Sequence, residues 1–403
     1  MLKLRCLCLC LLVIVLSNSN VFVYGKSIRP KNPKSLSEPI AVYPSAKLPP
    51  ISEPMFFGFY NMPCSREKQK MVHKWIPHWN LLTNVRSRSG HDEQLTETVE
   101  YCIGHGILPL NWILGPMQPR WDRQSDWVYY YLSAARNKNL IGIGVDEWQP
   151  NGVACYGGTK VVNFAATGLI WAKQEHPEFY QMVFWRGEDN IIKKVVKQKC
   201  IDLLIVEGYS YIWLRDDWSI QPPDTMKRVE LARKWGAIER TIVMLGQVTT
   251  EKCKTNSKLK PPGSIEFEKQ IRYFRKHAPE MPGIAFYIAA NSFDAIKDKL
   301  QACDRLFVKY YLKPAPEVII ASPQANSVIT GVCKISAIAK AKKSDSNIIY
   351  YLWFVDNRLM AKTIKPQWNW NTRLELPGEH IITVQAVDSK YNRGVKQIKV
   401  RVR

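Results

Sequence analysis

Between Met55 and about Pro314 the chain alternates a short apolar run with a longer stretch of helical period, eight times over. That alternation restricts the fold more than any other feature, because strand–helix repeats of this kind build a parallel sheet with helices packed on it. The apolar runs are Met55–Tyr60, Leu81–Arg86, Ile107–Leu114, Leu140–Asp146, Phe179–Trp185, Cys200–Val206, Ile238–Leu245 and Gly283–Ile288. Between them, Leu95, Val99, Cys102 and Ile103 share a helical face. So do Val162, Ala165, Ala166, Leu169 and Ile170, then Phe267, Ile271, Phe274 and Ala278, and last Phe293, Ile296, Leu300, Cys303 and Phe307. Pro222-Pro223-Asp224 opens one of these helices and Gly236 closes it.

Eight such pairs in about 260 residues match the size of a (β/α)8, or TIM, barrel. A doubly wound open sheet is the competing architecture, and it normally carries a glycine-rich phosphate loop. Gly142-Ile-Gly144 lacks the third glycine of such a loop, and Gly152 to Lys160 puts Gly158 where a phosphate-binding lysine belongs.

Segments outside the repeat have a different character. Lys3 and Arg5 precede the apolar run Cys6–Leu16, which is too short to span a bilayer, and Val23-Tyr24-Gly25 suits cleavage after Gly25. Residues 1–25 therefore read as a signal peptide, with an uncleaved anchor as the alternative, and the expected location is secreted or at the cell surface. No later stretch has the length and apolarity of a membrane helix. Residues 26–54 contain seven prolines and no period, as in an extended linker. After the (β/α)8 segment, 55–313, Pro314-Ala315-Pro316 leads into short alternating strands over 317–403, which fit a small all-β sandwich. Those strands are Val318–Ala321, Val328–Ile338, Ile348–Val355, Ile381–Val387 and Val395–Val402. Removing the three cysteines of residues 1–25 from the ten in the chain leaves seven, with no Cys-x-x-Cys spacing, and most are expected to be buried free thiols.

The net charge is +22, from 57 basic and 35 acidic side chains, which favours anionic partners. The charge is scattered and no nucleic-acid-binding pattern is present, so nucleic acid is not an expected partner. Neither a metal nor a cofactor is expected. The seven histidines include no His-Glu-x-x-His, and Gly208-Tyr-Ser210-Tyr-Ile212 lacks the last glycine of a nucleophile elbow, which leaves an esterase using Ser210 as a minor reading.

Polar and aromatic residues gather instead at the strand ends, where a barrel places its chemistry. Tyr60 and Asn61 follow the first strand, Arg86 and Arg88 end the second, and Trp112 lies near the end of the third. Asp146, Glu147 and Trp148 end the fourth, Trp185 and Arg186 the fifth, and Glu207, Tyr209 and Tyr211 the sixth. Gln247 follows the seventh, and Tyr287 and Asn291 the eighth. Carboxylates among aromatic rings suit glycoside hydrolysis. One acid protonates the leaving oxygen, and a second carboxylate attacks or activates water. Glu147 is the favoured acid/base, with Trp148 partly desolvating it, Asp146 is an alternative nucleophile, and Glu207 is the partner for either. Strict alternation puts Asp146 and Glu147 on opposite faces unless the backbone bends between them. Structural duties compete with this reading: Glu207 could pair with Arg186, and Asp146 could cap a loop.

Val-Glu207-Gly-Tyr, the acids ending the fourth strand and Phe184-Trp-Arg-Gly resemble barrel glycosidases of the endo-α-1,4-polygalactosaminidase type. That resemblance implies an acid on the fourth strand, here Asp146 or Glu147, working with the glutamate on the sixth, Glu207. Two other groups fit less well. Gly142 and Gly144 stand where chitinase-type barrels have acids, and Gly246-Gln247 stands where a large retaining clan has a glutamate. In the C-terminal segment, Tyr351-Leu-Trp-Phe-Val-Asp-Asn, Trp368-Asn-Trp-Asn-Thr and Pro377-Gly-Glu-His-Ile-Ile-Thr-Val-Gln-Ala-Val-Asp resemble the bacterial Ig-like modules appended to secreted carbohydrate enzymes. The expectation is a secreted hydrolase of a polysaccharide, an acidic one given the charge. A non-catalytic glycan-binding protein on the same barrel is the alternative.

Overall fold

The computed structural model describes residues 55–57, 66–83, 101–113, 123–137, 140–148, 158–185, 190–207, 223–248, 263–288, 294–312 and 315–403. The expected signal peptide and linker, 1–54, lie outside them. Eight parallel strands form one mixed α/β layer system: β1 (Met55–Phe57), β2 (Leu81–Thr83), β3 (Leu108–Ile113), β4 (Gly142–Trp148), β5 (Tyr180–Trp185), β6 (Leu203–Glu207), β7 (Thr241–Val248) and β8 (Gly283–Ile288). They pair in sequence order, and β8 pairs back onto β1, with Met55 beside Gly283 and Phe57 beside Ala285. Every residue of β5 and β6 is buried, which is why these runs are apolar without alternation.

The described helices are α1 (Arg66–Trp75), α2 (Gln124–Arg136), α3 (Gly158–Glu175), α4 (Asn190–Lys197), α5 (Pro223–Lys234), α6 (Ser264–His277) and α7 (Lys297–Tyr311). Most residues of the expected apolar faces are buried, namely Val162, Ala165, Ala166 and Leu169 on α3, Phe267, Ile271 and Phe274 on α6, and Leu300, Cys303 and Phe307 on α7, whereas Ile170 is only partly buried and Leu95, Val99 and Phe293 lie outside the described residues. Two glycines permit close packing. A Cβ on Gly168 of α3 would lie 2.7 Å from the Trp127 carbonyl oxygen of α2, and one on Gly142 would lie 2.3 Å from that of Tyr180 on β5.

Some boundaries differ from expectation. Ile238–Arg240, expected to begin the seventh strand, is a 3-10 turn that runs into β7, and the Thr241 hydroxyl donates to the Ala237 carbonyl at 2.8 Å. The fourth strand begins at Gly142 rather than at Leu140, and it runs through Trp148, so Asp146 and Glu147 lie at its C-terminal end.

Beyond residue 316 two sheets share one core. Strands β9 (Glu317–Ser322), β11 (Val332–Lys340) and β14 (Gln367–Asn371) form the smaller. Strands β10 (Val328–Ile329), β12 (Ile348–Val355), β13 (Arg358–Thr363), β15 (Gly378–Asp388) and β16 (Arg393–Val402) form the larger. Ile320, Ile335 and Trp370 from the first sheet pack with Trp353, Val384 and Val400 from the second, which is a sandwich-like arrangement. The single strand expected over Val328–Ile338 is split at Gly331, whose φ of +69° no ordinary strand residue adopts.

This C-terminal region is joined to the parallel-sheet region by buried charge. Glu239, before β7, accepts from Arg393 Nη2 at 2.5 Å and from Lys362 Nζ at 2.8 Å, and Arg393 also donates to the Glu280 carbonyl and, at 3.1 Å, to Gln385. Burial by itself raises the Glu239 carboxyl, but Arg393 and Lys362 outweigh it and hold it below the ordinary range. Next to Arg393, a Cβ on Gly394 would sit 2.0 Å from the Pro316 carbonyl oxygen. Cys102, Cys200 and Cys303 are buried free thiols, and Cys333 is a partly buried one.

Candidate active site

Because all eight strands are parallel, the C-terminal ends of β3 to β8 lie at one end of the sheet. Sequence places Trp112, Asp146–Glu147, Trp185, Glu207, Gln247 and Tyr287 there, and the pairing brings their backbones together. Trp112 lies beside Gly144, Trp185 beside Val206, Glu207 beside Met244, and Gln247 beside Tyr287.

The β4 backbone departs from regular pairing at the two carboxylates. Val145 pairs with Val183 and Trp148 with Trp185, so two residues of β4 face one of β5, and the extra residue falls at Asp146–Glu147. Such a bulge breaks the alternation that would otherwise force consecutive residues onto opposite faces, and bulges concentrate beside active sites. A second irregularity lies at the same end of β7, between Leu245 and Gln247. Residue counts along a strand carry no register information, so neither irregularity was readable from sequence.

The inner and outer faces follow from Gln181. Its side-chain amide donates to the Leu169 carbonyl of α3 at 3.0 Å, which turns that position of β5 toward the helices. Trp185, four residues on, shares the face, and its ring lies 5.2 Å from that of Trp235, which follows α5. Val206 pairs with Trp185 and therefore also faces the helices, so the next residue, Glu207, faces the interior of the sheet. Glu207 is only 3% exposed. Its backbone carbonyl accepts from Arg228 of α5 at 3.2 Å, which ties the end of β6 to the helix that follows it. A carboxylate so enclosed must be solvated by protein groups or by a ligand, which is the setting acid–base chemistry uses.

Trp148 and Trp185, placed among the candidate strand-end residues, have no exposed surface at all. Trp185 packs on Trp235, and Trp148 and Trp185 both belong to the core, so neither presents an exposed face to a substrate. Strands covered on both faces give no sequence signal for which side a tryptophan takes. Tyr60, Asn61, Arg86, Arg88, Arg186, Tyr209, Ser210, Tyr211 and Asn291 lie outside the described residues. Among the described residues no group of three or more His, Cys, Asp or Glu side chains is arranged to hold a metal, and no helix is long and apolar enough to cross a membrane.

No protein-family model matches the chain, and no curated protein matches it. Several solved structures are similar to it in part. An endo-β-1,4-mannanase from Thermotoga petrophila aligns over 87% of this chain and 98% of its own, at 9% identity and a TM-score of 0.42. A GH18 chitinase from Pseudoalteromonas aurantia aligns over 62% of this chain and 99% of its own, at 11% identity and a TM-score of 0.42. A xylanase and α-amylase inhibitor protein from Scadoxus multiflorus aligns over 64% of this chain and 98% of its own, at 14% identity and a TM-score of 0.43.

Proposed function

We propose that the protein is a secreted glycoside hydrolase in which a (β/α)8 barrel cleaves a polysaccharide by two-carboxylate acid/base catalysis. The observation that carries this reading is Glu207. It is a buried carboxylate on the inner face at the C-terminal end of β6, two strands from the bulge that holds Asp146 and Glu147. Adjacent strands are about 4.8 Å apart. The ends of β4 and β6 are therefore about 10 Å apart across β5, a spacing compatible with two acids acting on one glycosidic bond.

In this mechanism Glu147 protonates the leaving oxygen, and Glu207 attacks the anomeric carbon or activates the water that does. Asp146 is the alternative for the β4 role. Gln247 and Tyr287, on neighbouring strand ends, and Trp112 on β3 line the same end of the sheet as substrate contacts. The charge of +22 favours an acidic polysaccharide.

Release of reducing ends from neutral, uronic-acid and sulfated polysaccharides tests the reading, with Asp146→Asn and Glu147→Gln assayed beside the parent. The expected result is release from at least one acidic glycan, lost in the variant whose carboxylate acts on the bond. A parent that retains a glycan on an affinity column but cuts none of the panel would move the assignment to a glycan-binding protein.

A further inference from the structure

On the outside of the parallel-sheet region, α3 and α4 flank a groove of about 540 Å³ that the strand-end chemistry does not use. Its floor lies at the N-terminal ends of β5 and β6, where Lys173 bonds Asp202 at 2.7 Å and the Phe179 carbonyl at 2.8 Å. Strands of this length run about 17–20 Å, so the groove is well separated from the candidate active site.

Its walls carry an unusual set of groups. Trp171 of α3 leaves 48% of its surface in solvent, although an indole usually hides its ring. Gln174, one helical turn on, and Gln198, just past α4, bring two amides, each able to donate and accept. Lys194 adds a charge at the rim. An exposed indole and two amides in one groove suit a sugar ring, which stacks by its C–H face and hydrogen-bonds through its edge hydroxyls.

Charge then selects among sugars. Lys193, Lys194, Lys197 and Lys199 crowd this end of α4, and none has a carboxylate partner among the described residues. The neighbouring acids are already engaged: Glu175 with Arg136 at 2.7 Å, Glu178 with His176 at 3.3 Å, and Asp202 with Lys173. Lys173 is itself 9% exposed and is neutralised by Asp202, so the positive charge of the groove comes from Lys194 and the lysines beside it. We infer that this groove is a second, non-catalytic binding site for an anionic oligosaccharide, with Trp171 as its stacking platform and Lys194 as its charge contact.

The inference stands on the groove's own side chains and not on the strand-end assignment. Calorimetric titration of the full chain with a galacturonate hexasaccharide, and with a neutral hexasaccharide for comparison, tests it. The acidic probe should bind, the neutral one should bind about tenfold more weakly or worse, and added salt should weaken the former. Trp171→Ala and Lys194→Gln both alter exposed side chains, and each should weaken acidic binding by about tenfold or more. Trp171 and Lys194 lie on α3 and α4, away from the C-terminal strand ends, so loss of binding in these variants assigns it to the groove and not to the candidate active site. The inference is overturned if the parent does not bind the acidic probe, or if both groove variants bind it as the parent does.

Discussion

Glu239 and Arg393 are each almost wholly buried, with side chains 4% and 3% exposed, and they lie on different parts of the molecule. Removing one member of such a pair strands the other charge in a low-dielectric setting and costs about 3–5 kcal/mol. Arg393→Ala is therefore expected to lower stability by about that amount in urea denaturation, whereas Lys399→Ala, on an exposed pair with Glu379, should change it by less than about 1 kcal/mol. His380 is a different case. Burial lowers its affinity for a proton, but Asp356 at 2.6 Å and the Leu376 carbonyl at 2.7 Å outweigh burial and raise its pKa above the usual histidine value. The folded state thus holds the proton more tightly than the unfolded chain. The resulting stability is complete below about pH 6.5 and is lost as pH rises through the raised folded value. Urea midpoints should fall across that window in the parent, and His380→Gln should flatten the dependence. An unchanged slope in the variant would assign the pH dependence to another group.

At the scale of single elements, β4 is the most constrained. A Cβ on Gly142 would meet the Tyr180 backbone oxygen at 2.3 Å and a methyl of Leu110 at 2.8 Å. Gly142→Ala must push β4 away from its neighbours, and such overpacking costs about 1–3 kcal/mol. The melting temperature should drop, and because β4 carries Asp146 and Glu147 at its far end, activity should fall more than folded protein does. The apolar runs of the eight strands and the helix faces were legible because burial on both sides of a sheet, or on one side of a helix, leaves a period in the sequence. The register of β4 was not, since a bulge changes pairing without changing composition. Strands β13 and β14 were missed for another reason: they are partly exposed and polar, as in Arg358-Leu-Met-Ala-Lys-Thr363. A signal for the first did exist in Asp356-Asn357. Both have positive φ, +49° and +65°, as a two-residue hairpin requires, and both residue types tolerate it.

Across the whole molecule, the C-terminal sandwich reads as part of the folded body rather than a loosely tethered appendage. Glu239 ties β7 to β13 and β16 through Lys362 and Arg393, and Arg275 of α6 donates to the Lys390 carbonyl at 3.4 Å. Gly394 lies against Pro316, which permits the entry strand and β16 to approach this closely. Scanning calorimetry should accordingly show one transition for the parent and two for Gly394→Ala, where the added methyl group forces the contact apart. The strand-end position of Asp146, Glu147 and Glu207 was also legible in sequence, because carboxylates at the ends of apolar runs are conspicuous. Which tryptophans pack and which meet solvent was not, and it is Trp171, on a helix surface, that stands exposed while Trp148 and Trp185 are enclosed. The account depends most on Glu207. Its direct test is kcat/KM of Glu207→Gln on the glycan the parent cleaves best, with circular dichroism to confirm the fold. Loss of an essential carboxylate should lower it by about a thousandfold or more, whereas a folded variant retaining activity within about tenfold of the parent would contradict the two-carboxylate mechanism.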